Sequence, residues 1–129
     1  MARLFRPSIV SVLSVPGRTT GRWHSAPVAV LEYEGGPYLI AAYGHTQWAR
    51  NLRASGAGRL TRRRRRPEPF TAVEVPPGER PPLIAEYLRR FGPLPTVEKT
   101  FRALPDPADH PTFRIAFAGG EPAPGSVPR

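Results

Sequence analysis

The 129-residue chain contains no cysteine. That excludes a disulfide framework, a thiolate nucleophile and a cysteine-ligated zinc site. Lysine is nearly missing too. Lys99 stands alone among 19 basic residues, so the formal net charge of +9 is carried almost wholly by arginine. No apolar run approaches the length of a membrane span. The Gly-x-x-x-x-Gly-Lys-Ser/Thr pattern of a phosphate-binding P-loop is absent. Gly56-Ala57-Gly58 follows a helical stretch and lacks the third glycine of a dinucleotide fingerprint. The histidines, at 24, 45 and 110, are not at metal-ligand spacing, so no metal site is expected. Aspartate occurs only at 106 and 109, inside a proline-rich loop. His24 and Ser25 are adjacent on a strand and so point to opposite faces, which is no catalytic triad. No side chain is therefore assigned a catalytic role. A cofactor that brings its own chemistry suits this inventory better.

What is present reads as one small domain. Hydrophobic residues make up 40% of the chain, enough for one modest core. The domain is expected over residues 1–118. Residues 119–129 (GGEPAPGSVPR) have nothing to bury and read as a disordered tail. Met1 to Arg6 resembles a basic leader, but the apolar stretch after it is short and no small-residue cleavage signal follows. A signal peptide is not expected, and the default address is the cytoplasm. The arginine excess has two readings. One is an anionic partner; the other is codon bias in a GC-rich genome, which depletes lysine.

Proline (18) and glycine (12) punctuate the chain. Ser8 to Val15 reads as a first strand ending at Pro16-Gly17. His24 to Tyr33 and Pro37 to Tyr43 form a hairpin about Glu34-Gly35-Gly36. Both are apolar without alternation at their centres, so both faces should pack against protein. Thr46 to Ala54 reads as a helix with Thr46 as N-cap. Leu60 to Arg66 and Phe70 to Val75 read as two more strands. Pro81-Pro82 opens a second helix, whose face carries Leu83, Ile84, Tyr87, Leu88 and Phe91. Thr96 to Leu104 reads as a short helix, and Pro111 to Ala118 as a last strand. Hairpin-length connections favour an antiparallel sheet. Six such strands close most economically into a small barrel, so the fold is expected to be mainly β with short helices.

Three segments could bind an anion or a ring. Gly17-Arg18-Thr19-Thr20-Gly21-Arg22 offers convergent N–H groups, two hydroxyls and two guanidiniums; the same residues also suit an ordinary polar turn. Tyr43 to Trp48 leads into a helix N-terminus, with Trp48 able to stack and Asn51 able to hydrogen-bond. Arg62 to Arg66, read as a strand, would place alternate arginines on opposite faces. They would form either a phosphate track or a solvated edge. No aromatic platform interleaves with them, so nucleic acid is not the expected partner.

In order and spacing, Val15-Pro-Gly-Arg-Thr-Thr-Gly21, Pro27, Ala41-Ala42-Tyr43-Gly44 and Trp48-Ala-Arg-Asn51-Leu-Arg-Ala54 resemble the deazaflavin-dependent nitroreductase family. That family belongs to the F420-binding split β-barrel oxidoreductases. The resemblance runs from about Ser11 to Phe117. It implies a six-stranded antiparallel split β-barrel that binds coenzyme F420 and passes a hydride to a small quinone-like, nitro or conjugated acceptor. Arg18, Thr19, Thr20, His24 and Ser25 would hold the cofactor's phosphate or polyglutamate tail. Ala41, Ala42, Tyr43 and Gly44 would line its ring and ribityl chain, with Trp48 and Asn51 closing the site. Tyr87 and Phe91 would face the acceptor. The chain has Thr19-Thr20, His24 and Tyr43-Gly44 where the family more often carries a basic residue with serine, arginine, and serine-lysine. The alternatives are FMN or a haem-type ligand in the same barrel, or a nucleic-acid module built on Arg62 to Arg66. The assembly is expected to be a monomer or a homodimer.

Overall fold

The structure is a computed structural model and describes residues 10–94 and 96–117. Six strands are formed: β1 (Val10–Pro16), β2 (Trp23–Tyr33), β3 (Gly36–Ile40), β4 (Ala57–Thr61), β5 (Glu68–Glu74) and β6 (Thr112–Phe117). Helix α1 (Gln47–Ser55) links β3 to β4, and α2 (Pro81–Phe91) and α3 (Val97–Ala103) lie between β5 and β6. The strands close into a barrel in the order β1-β2-β3-β6-β5-β4, every pairing antiparallel. The expected fold class is thus the observed one. Ser8, Ile9, Ala118 and the 119–129 tail lie outside the described residues.

Local chemistry explains the turns. Glu34 and Gly35 join β2 to β3 with φ of 47° and 82°. Two positive φ values match the twist of a two-residue hairpin. β3 stops at Ile40, short of the expected Tyr43. Its partner β6 begins at Thr112, opposite Ile40, so later residues have no strand to pair with. The greater departure is at Arg62 to Arg66. β4 ends at Thr61, and the arginines form the β4–β5 hairpin loop, with Arg64 at φ 59° and the Arg65 N–H donating to the Arg62 carbonyl at 3.0 Å. A loop lets like charges splay into water, where a strand would stack them. Pro69, just ahead of the strand expected over Phe70 to Val75, lies within β5. It precedes the first β5–β6 pair, Phe70↔Phe117, so its missing N–H leaves no position of that ladder empty.

The chain builds two cores. Leu13, Val15, Val28, Leu39, Leu60, Phe70, Phe113 and Ile115 fill the barrel, and Ala49 and Leu52 of α1 plug it. On the opposite faces of β2 and β3, Ala29, Leu31, Ile40 and Ala42 pack under Leu83, Tyr87 and Phe91 of α2 and Val97 and Phe101 of α3. Burial on both faces is why these two strands lack alternation.

Two buried polar side chains tie the segments together. Arg80, 3% exposed, donates to the carbonyls of Val75, Pro107 and His110 and to Glu74 Oε2 at 3.0 Å. Glu74 also accepts two bonds from Arg53, at 2.8 and 2.7 Å. His110 is fully buried, stacks on Phe101, and sets its ring nitrogens 2.9 Å from the Ala41 carbonyl and 2.6 Å from that of Leu104. Among the described residues no helix is long and apolar enough to cross a membrane.

The Arg53 hydrogen bonds, reinforced by Arg80, hold the Glu74 carboxyl below the usual carboxylate range. A depressed folded pKa stabilises the fold above the unfolded value of about 4.3, and that stabilisation is lost as pH falls through the folded value. Arg80→Met should cost about 3–5 kcal/mol, because it leaves Glu74 with one cation fewer and takes one donor each from the carbonyls of Val75, Pro107 and His110. Urea unfolding at pH 7 measures this. Glu74→Gln should flatten the acid limb of stability between pH 5 and 2 relative to wild type.

Candidate functional site

The Gly17–Gly21 loop projects from the end of β1 beside α1. Gly17 N–H donates to the Arg22 carbonyl at 2.7 Å, and Gly21 N–H to the Gly17 carbonyl at 2.9 Å. Gly21 has φ 80°, which glycine adopts without strain. Thr20 Oγ1 accepts from the Arg22 N–H at 3.2 Å. A Cβ on Gly17 would stand 3.0 Å from the His24 ring, so glycine there lets the imidazole close over the loop.

Asn51 fixes this loop to the barrel. Its side-chain oxygen accepts from the Arg18 N–H at 3.1 Å and from Arg18 Nη1 at 2.7 Å. The same Nη1 donates to Gln47 Oε1 at 2.9 Å. Gln47 and Asn51 are one helical turn apart, hence on one face of α1. Asn51 is 4% exposed, so the loop is anchored in the interior. The rest of the Arg18 guanidinium makes no hydrogen bond among the described residues.

These residues border a cleft of about 650 Å³. Its walls are Gly17, Arg18, Thr19, Thr20 and Arg22 of the loop, His24, Ser25 and Ala26 of β2, and Thr46, Gln47, Trp48 and Asn51 at the start of α1. Thr46 occupies the N-cap position with extended backbone, but its hydroxyl makes no capping bond. The first N–H groups of α1 thus have no side-chain cap. With the helix dipole they favour an anion at this end of the cleft. Ser25 Oγ pairs with Ser14 Oγ at 3.0 Å.

A second cleft of about 430 Å³ is mostly apolar. Val28, Ala29, Ile40, Ala42, Tyr87 and Val97 form its depth, with Val10, Pro27, Tyr43, Trp48 and Leu94 around them. Tyr43 Oη is hydrogen-bonded to Thr96 Oγ1 at 2.8 Å. Trp48 lines both clefts.

Of the residues expected at the site, Arg18, Thr19, Thr20, His24, Ser25, Trp48 and Asn51 meet at the polar cleft, and Ala42, Tyr43 and Trp48 at the apolar one. Three expected residues lie elsewhere. Ala41 is 1% exposed and belongs to the barrel core. Gly44 borders neither cleft; a Cβ on it would face Leu104 at 3.2 Å. Phe91 is packed into the α2–α3 core against Tyr87. Gln47 was missed, although its spacing of four from Asn51 was a usable signal. Val28, Ala29, Leu94 and Val97 were missed because apolar residues in a strand, a connection or a helix carry no sign of a cleft. The hairpin arginines Arg63 to Arg66 border neither cleft, and Arg62 lies over the Phe117 ring at 4.7 Å. Among the described residues no group of three or more His, Asp or Glu side chains could hold a metal ion.

No family model and no curated protein matches the chain. Solved structures do. An F420-H2 dependent reductase, FDR-A, superposes with a TM-score of 0.60 at 18% identity, over 84% of this chain and 94% of that one. HutZ, the haem storage protein from Vibrio cholerae, superposes with a TM-score of 0.63 at 15% identity, over 88% and 84%. Atu2129 from Agrobacterium tumefaciens, of unknown function, gives 0.62 at 21% identity; 87% of this chain matches 52% of that one. The fold is a split β-barrel. Similarity at these identities concerns the fold alone. Within this split barrel, two clefts meet at one tryptophan.

Asn51→Ala should release the loop. The Arg18 amide should lose most of its hydrogen-exchange protection, and stability should fall by about 1–3 kcal/mol, the cost of stranding buried donors. Unchanged Arg18 exchange would show that the loop is held by other means.

Proposed function

We propose that this split barrel binds a ring cofactor carrying an anionic tail, with F420 the leading identity, and reduces a small acceptor. One observation carries the reading: a cleft rich in hydroxyls and guanidinium adjoins an apolar cleft, and Trp48 walls both. A ligand with a phosphate at one end and a flat ring at the other fits that sequence of surfaces. The Gly17–Gly21 loop, Thr19, Thr20 and the untied part of Arg18 would take the phosphate. His24 and Ser25 would border it. Ala42, Tyr43 and Trp48 would flank the ring. Reduced F420, when bound, supplies the hydride. The protein's own work is then to bind, orient and exclude water. Tethering by Asn51 and Gln47 holds the Arg18 side chain in place before a ligand arrives, which lowers the ordering cost of binding.

A second reading takes a haem-type ligand and rests on the likeness to HutZ. Among the described residues, His24 is the histidine that borders either of these two clefts. The His110 ring is occupied by two backbone carbonyls and is no ligand for iron. Hemin titration separates the readings: a shifted Soret band that His24→Ala abolishes would favour haem.

Fluorescence titration with F420 tests the leading reading. Saturable binding is expected, weakening as salt rises and falling at least about tenfold in Arg18→Ala, the loss of a charged hydrogen bond. Absence of binding at tens of micromolar cofactor would overturn it, as would undiminished affinity in Arg18→Ala.

A further inference from the structure

The hairpin between β4 and β5 carries five consecutive arginines, and neither cleft uses them. Arg62 ties the root of the hairpin to the barrel. Its Nε lies 3.9 Å from Glu68 Oε1, and its guanidinium 4.7 Å from the centre of the Phe117 ring. Arg63, Arg64, Arg65 and Arg66 are exposed and make no ion pair among the described residues. The bond from the Arg65 N–H to the Arg62 carbonyl makes a turn of residues 62–65 with Arg64 in its third position. The φ of 59° there is the left-handed conformation for which turns use glycine or asparagine. Codon bias does not account for arginine at this position. Glycine is encoded by equally GC-rich codons and would sit there without strain. Strain kept at an exposed position points to a use for the side chain.

The arginine run holds no aromatic residue, but the barrel brings one to it from another strand. Facing residues of an antiparallel ladder share a face. Ser14 faces both Ser25 and Arg59, Pro16 faces Trp23, and Val12 faces Thr61. These side chains therefore lie together on the outer wall of β2, β1 and β4. α2 and α3 pack farther along β2, over Ala29 and Leu31. The wall is left open, with Trp23 49% and Val12 44% exposed. Ser14 and Ser25 are small enough for Arg59 to cross over β1 to Trp23, where its guanidinium stands 4.3 Å from the ring centre. From this arginine–tryptophan platform β4 leads directly into the hairpin. Arg59 and Arg63 are four residues apart, about 13 Å at the rise of a strand.

We propose that this wall and the hairpin form a surface for single-stranded nucleic acid, with Arg63 to Arg66 on its phosphates and Trp23 with Arg59 stacking a base. Every base has a face to stack, and guanidiniums on phosphates read only the backbone, so the surface binds without sequence preference. A duplex keeps its bases stacked on one another and has none to offer the platform. A flat bilayer cannot follow the convex barrel wall from Trp23 to the tip of the hairpin, whereas a flexible strand can. The proposal does not depend on the F420 reading, since it uses neither cleft.

Fluorescence anisotropy of a labelled oligothymidylate of about 15 nucleotides, titrated with the full chain, tests this. Wild type should bind with a Kd of about 1–100 µM at physiological salt. The logarithm of the affinity should fall against that of salt with a slope of about −3, or about 0.7 for each of four phosphates. Trp23→Ala should weaken binding at least about fivefold and keep that slope, as expected for the loss of one stacked base. Arg64→Gly should raise resistance to urea, weaken binding, flatten the slope by about 0.7 and leave F420 affinity unaltered. The double variant Arg89→Ser, Arg102→Ser removes two charges from α2 and α3 and should leave oligonucleotide binding unchanged. A loss there equal to that in Arg64→Gly would reduce the effect to net charge and overturn the proposal. So would undiminished binding in Trp23→Ala, or tighter binding to a duplex of the same length. Hairpin-dependent binding to phosphatidylglycerol vesicles with none to the oligonucleotide would assign the surface to lipid instead.

Discussion

Closing a short sheet on itself forces β4 against β1, and that approach leaves no room for a side chain at Gly58. A Cβ there would stand 2.8 Å from the Ser14 carbonyl and 3.0 Å from the Phe70 ring. Glycine at this crossing lets β1 pair with β2 on one side and β4 on the other, from Val12↔Thr61 to Ser14↔Arg59. The remaining architecture depends on that closure. The interior fills with one set of apolar residues, α1 plugs it, and the loop after β1 is left at the rim beside the start of α1. β2 and β3 retain an outer apolar face, which α2 and α3 cover incompletely. The uncovered part is the apolar cleft.

The site is a by-product of this arrangement. The polar cleft forms where the β1–β2 loop meets the uncapped end of α1, and the apolar cleft where the α2–α3 cover falls short. Trp48 comes one residue after the first residue of α1 and forms a wall of each. Asn51 supplies rigidity: one side-chain oxygen receives both the backbone and the guanidinium of Arg18. The arginines consequently have separate duties. Arg18 serves the loop, Arg53 and Arg80 bracket Glu74, Arg59 lies 4.3 Å over the Trp23 ring, and Arg63 to Arg66 extend from a hairpin into solvent. The net charge of +9 is thus a sum of local roles rather than one anion-binding surface.

Much of this was legible in the residues. Turn glycines, prolines and β-branched runs mark each strand, and the unbroken apolar character of β2 and β3 signals protein on both faces. The Gly-Arg-Thr-Thr-Gly loop and the Trp-x-x-Asn helix, which only the family resemblance joined, line one cleft. Their contact was not legible, because Arg18 and Asn51 are distant in sequence and no local pattern encodes the bond between them. Periodicity misread Arg62 to Arg66 as strand, since a run of one residue type carries no alternation to test. The third strand was drawn too long because Ala41 to Tyr43 are apolar for other reasons: Ala41 packs in the barrel, and Ala42 and Tyr43 face the cleft. The roles of His110 and Arg80 were invisible, since a buried polar residue pairing with distant carbonyls leaves no sequence signature.

The central claim is that loop, helix start and apolar wall make one continuous binding site. Amide and indole NMR shifts on adding F420 test it most directly. The Gly17–Gly21 amides, the first amides of α1 and the Trp48 indole N–H should move together along one saturation curve. Shifts confined to the Arg63 to Arg66 hairpin, or loop shifts with a still Trp48, would contradict it.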